Sequence, residues 1–161
     1  MVRIAAAAAL AGIAGAAQGQ VIQFMSQIRG LDAGTPSPAV GVLAGELDVG
    51  DRSFLFFYSI SENLIGEPAS PGAHIHEGYE GESGPIVFPF ETGAWPLVGG
   101  YAWTGMTDEQ MARLIDGGYY INFHTTAYPG GEIRGQLLAV PAPGGAALLA
   151  LAAPLAAVRR R

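Results

Sequence analysis

The stretch YYINFHTTAYPGGEIRGQL, residues 119–137, contains two strand-like segments separated by a strong turn signal. Its first half is rich in aromatic and β-branched residues, which favour extended backbone. The Pro-Gly-Gly at residues 129–131 combines a fixed φ with positions that tolerate positive φ, as hairpin turns require. In such a strand Ile121 and Phe123 point to one face. The side chains on the other face are then Tyr120, Asn122 and His124. This stretch predicts an antiparallel hairpin with one apolar and one polar face.

The chain on either side of this hairpin repeats the same pattern. Short β-branched and aromatic segments alternate with glycine, proline and acidic residues, which is typical of an antiparallel all-β domain. The acidic and glycine-containing tetrapeptide at residues 48–51 predicts a tight turn between two of the strands. We predict strands at residues 21–29, 39–48, 52–59, 73–76, 85–88, 97–104, 119–125 and 131–140.

One segment, TDEQMARLIDGG at residues 107–118, has the signals of a helix. Thr107 is placed to cap the N-terminus and Gln110 to complete a capping box, while Gly117 or Gly118 ends the helix. The face that we expect to pack on the core carries Met111, Leu114 and Ile115. We expect this short helix to cover an open end of the β domain.

Both ends of the chain have the composition of targeting segments. Residues 1–19 contain one basic residue, Arg3, followed by an apolar run that ends in small residues, which predicts a signal peptide and a mature chain beginning near Gln18 or Gln20. Residues 141–161 contain a proline-rich start, about fifteen small and apolar residues and three terminal arginines. We expect this second segment to form a hydrophobic anchor helix and the protein to be exported.

The C-terminal segment resembles the PEP-CTERM sorting signal of bacteria, with Ala142 at the position where that motif has Glu. The resemblance implies recognition by an exosortase-like membrane protease and a final location at the cell surface, outer envelope or extracellular matrix of a bacterium. Two alternatives remain open: a variant signal that a related enzyme reads, and a simple membrane anchor.

The charge of the central region excludes some classes of partner. Between the two end segments lie four arginines, no lysine and fourteen carboxylates, a net charge of 4 − 14 = −10. So acidic a domain is repelled by phosphate backbones, which argues against a nucleic-acid partner. The chain has no cysteine, so a core rather than disulfides must stabilise it.

Three histidines form the candidate metal site. His74 and His76 are two residues apart, so in a strand both imidazoles project from one face, and His124 is the remaining histidine of the chain. Three imidazoles are a ligand set for copper or zinc. The alternative is a structural cluster in which Glu77, Glu132 or backbone carbonyls satisfy the imidazoles.

The remaining polar motifs have simpler interpretations. Gly130, Gly131, Glu132 and Arg134 belong to the turn and the strand after it, and we expect them to define the fold, with Arg134 paired to a carboxylate. The acidic loop after His76 supplies either calcium ligands or a solvated turn; its carboxylates are Glu77, Glu80 and Glu82. No nucleophile motif is present, which favours a non-catalytic protein.

The segments HIHEGYEGESGPIVF, MTDEQMARLIDGGYYINFHT and YPGGEIRGQL together resemble the CHRD domain, the module named from the animal protein chordin. The resemblance extends over residues 24–138 and implies an immunoglobulin-like extracellular β-sandwich. We therefore divide the chain into a signal peptide (1–19), a CHRD-like β-sandwich (20–140) and a sorting or anchor segment (141–161). The expected function is a secreted or cell-surface binding or structural module that contacts an envelope or matrix component, and the alternative is a mononuclear copper or zinc protein.

Overall fold

A computed structural model describes residues 20–141, so the predicted signal peptide and nearly all of the predicted sorting segment lie outside the described residues. The described chain contains nine strands, one α-helix and a single 3₁₀ turn at Leu31–Ala33. The elements are β1 (Val21–Arg29), β2 (Val40–Asp48), β3 (Ser53–Ile60), β4 (Pro68–Glu77), β5 (Ile86–Glu91), β6 (Val98–Thr104), α1 (Asp108–Ile115), β7 (Tyr119–Thr125), β8 (Ile133–Gln136) and β9 (Leu138–Ala139).

The predicted strands are confirmed, with differences mainly at their ends. β1 and β7 have the predicted bounds. β4 begins five residues earlier than predicted, before an irregularity in its pairing with β7 between Pro68 and Ala73. The last predicted strand is divided into β8, which pairs with β7, and β9, which pairs with β1. The turn predicted after Asp48 is also present, and Asp48 Oδ1 accepts a hydrogen bond from the Asp51 amide at 2.9 Å.

The two-sheet, immunoglobulin-like sandwich that we expected is not what the structure contains. All strands belong to one antiparallel sheet of order β5-β4-β7-β8-β1-β2-β3-β6, with β9 beside β1. β8 connects the β5-β4-β7 part of this sheet to the β1-β2-β3-β6 part. It does so because Arg134 is a register partner of Asn122 on β7 and of Arg29 on β1. Alternation of apolar and polar residues is the same in one curved sheet and in two stacked sheets, so the sequence pattern does not separate them.

The sheet curves until its two end strands face each other around one core. Phe88 on β5 stacks on Trp103 on β6, with ring centroids 5.4 Å apart and an interplanar angle of 9°. Phe54 and Phe56 on β3 are fully buried and stack on each other at 5.4 Å. Such aromatic pairs stabilise a core beyond the area that they bury. One aromatic cluster therefore connects strands from both ends of the sheet.

Strand β7 is buried over its whole length. Ile121 and Phe123 point into the core as predicted. The opposite face, which we expected to be polar or near a rim, is covered as well, because the 78–84 loop packs over it. Gln136 Nε2 donates to the Gly78 carbonyl at 2.8 Å, and Arg134 donates to the carbonyls of this loop. The polar side chains of this sheet face are consequently removed from water.

The predicted helix and its capping box are confirmed. Thr107 Oγ1 accepts from the Gln110 amide at 3.2 Å, and the Thr107 amide donates to Gln110 Oε1 at 2.9 Å. Met111 and Leu114 are buried in the core, and Gly117 follows the helix at φ 72°. Within residues 20–141, no helix is long and apolar enough to cross a membrane.

Candidate metal centre

The three histidines lie on two adjacent antiparallel strands. His74 and His76 are on β4 and are register partners of Asn122 and Tyr120 on β7, while His124 is two residues beyond Asn122 on the same strand. Ile75, between the first two histidines, points into the core and is fully buried. The period-two geometry of the strands therefore places all three imidazoles on the covered polar face. Their exposed fractions are 2%, 9% and 5% for His74, His76 and His124.

The imidazoles converge on one region, and one pair of their ring nitrogens has metal-ligand spacing. One ring nitrogen from each lies within 4.8 Å of the other two, and these histidines form the only such group that we find among His, Cys, Asp and Glu in residues 20–141. His74 Nδ1 and His124 Nε2 are 3.3 Å apart. Zinc–nitrogen bonds of about 2.1 Å at tetrahedral angles place two ligand nitrogens about 3.4 Å apart. This pair already has the spacing of two ligands to one ion.

Backbone carbonyls determine which nitrogen of two histidines carries the proton. His76 Nδ1 lies 3.0 Å from the Gly84 carbonyl oxygen, and His124 Nδ1 lies 2.8 Å from the Pro129 carbonyl oxygen. A carbonyl only accepts, so we assign the proton of each ring to Nδ1 and the lone pair to Nε2. His76 Nε2 is buried and has no hydrogen-bond partner. Metal-binding histidines have this arrangement, with the second nitrogen donating to a carbonyl.

All three histidines are held in the neutral form. Burial, followed by the charges of His124 and His76, lowers the pKa of His74 to about 4, while the Pro71 carbonyl acts in the opposite direction. Burial also lowers the pKa of His76 and of His124, against the hydrogen bonds to Gly84 and Pro129. Neutral imidazole is the form that binds a metal ion, so at neutral pH the site needs no deprotonation before binding.

Neither carboxylate that we considered as a partner is hydrogen-bonded to a histidine. Glu77 Oε1 forms an ion pair with Arg113 Nη2 at 3.0 Å. Glu132 is fully buried and accepts four hydrogen bonds from other groups. Its donors are Ser37 Oγ (2.5 Å), Thr125 Oγ1 (2.7 Å), the Ile65 amide (2.7 Å) and the Gly66 amide (3.0 Å). Burial alone would raise the pKa of Glu132, but these bonds outweigh it and the pKa is lowered.

Glu132 and the turn before it anchor the loops around the histidines. Through its four donors, Glu132 connects β7 to the 35–38 and 65–66 segments. Gly131 has φ 112°, and a Cβ there would lie 2.1 Å from Asn122 Oδ1, so this position requires glycine. Gly130 has open space around its α-carbon and no positive φ. The structure therefore does not require glycine at this position, although we expected Gly130 to help define the fold.

Arg134 does not pair with a carboxylate, in contrast to our expectation. Its guanidinium donates to the carbonyls of Tyr79 (3.0 Å) and Glu82 (2.5 Å), and to Gln136 Oε1 (3.3 Å). It lies over the ring of Tyr120, with Cζ 3.3 Å from the centroid. Burial is the largest effect on Arg134 and lowers its pKa. The register of the β7–β8 hairpin places Arg134 beside Asn122, and this register is the feature that could have predicted the position of Arg134.

The acidic loop does not assemble a calcium site from its three glutamates. Glu77 is paired with Arg113, and Glu82 Oε2 accepts from the Tyr79 amide at 3.2 Å. Glu80 is exposed. The part of this loop that reaches the histidines is its backbone, through the Gly84 carbonyl.

A family model described as the CHRD domain matches residues 16–137, which include the three histidines, the helix and the hairpin. The chain belongs to the CHRD domain family. Membership indicates a non-enzymatic binding module. No curated protein and no solved structure matches this CHRD-domain chain. The identity of what the module binds therefore has to come from the chemistry of its own side chains.

Proposed function

We propose that this CHRD-domain protein is a binding module whose ligand is a copper or zinc ion, coordinated by His74, His76 and His124. The observation that carries the proposal is the buried lone pair on His76 Nε2, which has no hydrogen-bond partner and belongs to a trio of converging imidazoles. A buried polar atom without a partner costs about 1–3 kcal/mol. Coordination of a metal ion would remove that cost.

A structural hydrogen-bond cluster explains the same residues less well. In such a cluster each imidazole would use both of its nitrogens. Here the proton-bearing nitrogens of His76 and His124 are used by carbonyls, and His124 Nε2 faces His74 Nδ1. A proton shared between those two atoms would leave His76 Nε2 unsatisfied, whereas a metal ion would use all three lone pairs.

The ligand set favours copper or zinc over magnesium or calcium. Imidazole nitrogens suit copper and zinc, whereas magnesium and calcium prefer oxygen ligands. With three protein ligands, a tetrahedral ion keeps a fourth position for water or another small ligand. For nitrogen ligands the general affinity order places Cu²⁺ above Zn²⁺, so we expect copper to displace zinc at equal free concentration.

The proposal places the module outside the cell, at the surface, envelope or matrix of a bacterium. The compositions of residues 1–19 and 141–161 support export followed by sorting through an exosortase-like enzyme or by membrane anchoring. An exported site would acquire its metal away from cytosolic thiols, which otherwise compete for copper and zinc. An envelope or matrix component is the corresponding macromolecular partner.

Metal analysis tests the proposal directly. The purified chain is exposed separately to Cu²⁺ and Zn²⁺, desalted and analysed for bound metal, beside His76→Gln and His124→Gln. Arg52→Gln is the control, because the hydrogen bonds of Arg52 go to Asp108 and the Met106 carbonyl and to none of the three histidines. We expect about one equivalent in the parent and the control and a loss of most binding in both histidine variants. Absence of retained metal in the parent, or equal retention in the histidine variants, contradicts the proposal.

A further inference from the structure

The three histidines offer a metal ion neutral ligands only. Burial lowers the pKa of each ring, so each imidazole is uncharged at neutral pH. Among residues 20–141, no carboxylate forms an ion pair or a hydrogen bond with any of them. The ligands would therefore leave the whole charge of a bound ion uncompensated.

A cation beside the site adds to the positive charge. The Arg134 guanidinium lies over the Tyr120 ring, with Cζ 3.3 Å from its centroid, and the His76 ring stacks on the same tyrosine at 5.0 Å. Burial is the largest effect on the pKa of His76, and the charges of His124 and Arg134 lower it further. Three carboxylates offset part of the Arg134 charge, namely Asp32, Glu80 and Glu82. They reduce the contribution of the arginine but supply no anionic ligand to the histidines.

The point at which the three rings meet lies inside the protein. The exposed fractions of the three histidines do not exceed 9%, and His76 Nε2 is buried. A polar cavity of about 510 Å³ has His76 in its wall, but neither His74 nor His124. Water in this cavity therefore lies beside one ligand and not at a position that all three share. Within residues 20–141, no fourth His, Cys, Asp or Glu joins the group.

These features penalise a divalent ion more than a monovalent one. The desolvation energy of an ion in a buried site grows with the square of its charge, so a divalent ion loses roughly four times as much as a monovalent ion of the same size. Anionic ligands normally offset that loss through charge–charge attraction, and neutral imidazoles do not. Zn²⁺ and Cu²⁺ also require a further ligand beyond the three nitrogens, whereas Cu⁺, with a filled d shell, is stable in three-coordinate geometry.

We infer that the three histidines select monovalent copper, Cu⁺, over Cu²⁺ and Zn²⁺. This inference rests on the proposed metal site and deepens it by naming the charge of the ion. Among divalent ions the order of copper above zinc still holds, and Cu⁺ binds more tightly than both. Copper held by these residues consequently has a higher reduction potential than aqueous copper.

Competition for Cu⁺ against a chromogenic Cu⁺ chelator, without oxygen and with ascorbate as reductant, gives the Kd of the full chain for this ion. The Kd values for Cu²⁺ and Zn²⁺ come from competition with chelators of those ions in the absence of ascorbate. We expect Cu⁺ to bind at least about tenfold more tightly than Cu²⁺, which places the potential of the bound ion about 59 mV or more above that of aqueous copper. His76→Gln should lose most of its affinity for all three ions.

A carboxylate placed beside the histidines tests the cause of the preference. Asn122 is the register partner of His74 and is 7% exposed, so Asn122→Asp adds a buried negative charge about 5 Å from that histidine, measured between Cβ atoms. We expect the ratio of Cu⁺ affinity to Zn²⁺ affinity to fall about tenfold or more.

Asn63→Asp is the matched control for this variant. The Asn63 amide, like that of Asn122, donates to a backbone carbonyl, but Asn63 is exposed and is hydrogen-bonded to no histidine. The variant adds the same charge to the surface of the protein and should keep the parental ratio.

The outcomes separate the two proposals. Binding of Zn²⁺ or Cu²⁺ with equal or weaker binding of Cu⁺ would overturn the preference and leave the metal site intact. Equal affinity ratios in Asn122→Asp and Asn63→Asp would also overturn the preference. Failure to bind any of the three ions would overturn both proposals. If Asn122→Asp does not fold, His74→Asp provides the decisive comparison, because an anionic oxygen ligand should favour Zn²⁺ over Cu⁺, and a parental ratio there would overturn the preference.

Discussion

The Nδ1 atoms of His76 and His124 are both held by backbone carbonyls. The Gly84 and Pro129 carbonyls each hold one Nδ1, so the orientation of both rings depends on the path of two loops. Loss of a group that supports a metal ligand typically costs roughly 10–100-fold in metal affinity. Changes in the 78–84 loop or the 126–131 turn should therefore alter metal affinity without touching a ligand.

The lowered pKa of His74 makes the stability of the metal-free chain depend on pH. An unfolded histidine takes up a proton near its ordinary pKa of 6.5, whereas folded His74 resists protonation until about pH 4. Between these values the unfolded state binds more protons, so the free energy of unfolding falls as the pH falls. We expect this decline in urea unfolding of the metal-free chain from pH 7 to pH 4.5, and a shallower decline for His74→Gln.

The matched control for this measurement is Arg113→Gln, which changes an exposed pair and should keep the parental slope. Burial also lowers the pKa values of His76 and His124, so the His74 variant should retain part of the dependence. An unchanged slope in His74→Gln would show that His74 has the same pKa in the folded and the unfolded chain, which would contradict this prediction.

Among the elements, the turn between β7 and β8 has the sharpest sequence requirement. Gly131→Ala would combine a left-handed φ of 112° with a contact of 2.1 Å to Asn122, whereas Gly130→Ala would meet open space. We expect Gly131→Ala to lower the free energy of unfolding by about 2 kcal/mol or more and Gly130→Ala to change it by less than about 0.5 kcal/mol. Urea unfolding of the two variants provides the measurement, and equal costs would contradict the described turn.

At the scale of the whole molecule, metal binding should stabilise the entire domain. The three ligands come from β4 and β7, which lie inside a single sheet, so the site is lost when that sheet unfolds. A ligand that binds only the folded state at one hundred times its Kd adds about 2.7 kcal/mol. We expect the midpoint of thermal unfolding of the parent to rise by several degrees in zinc at that excess, and that of His124→Gln to remain unchanged.

A rise of equal size in His124→Gln would place the stabilising metal elsewhere on this acidic surface. Magnesium at the same concentration controls for nonspecific binding to carboxylates, because magnesium prefers oxygen ligands and binds imidazole poorly. If the three histidines are the site, neither zinc nor magnesium should change the midpoint of thermal unfolding of His124→Gln.

Local features of the chain were predictable because they depend on near neighbours. Alternation located the strands, and the Thr107 capping box located the helix start. The spacing of His74 and His76 placed both on one face of β4 with Ile75 in the core. Backbone geometry sets these relations within two to four residues, so they hold in any arrangement of the strands.

The arrangement that makes the histidines a candidate site depends on contacts between distant parts of the chain. Pairing of β8 with both β7 and β1 produces one sheet, and the 78–84 loop then covers a face that local pattern marks only as polar. The protonation of His76 and the missing carboxylate partner of Arg134 follow from that coverage. The four donors to Glu132 come from Thr125 and from the distant 35–38 and 65–66 segments. Their partners are brought together by folding and not by sequence spacing, and the energy of each group depends on the water that this packing excludes.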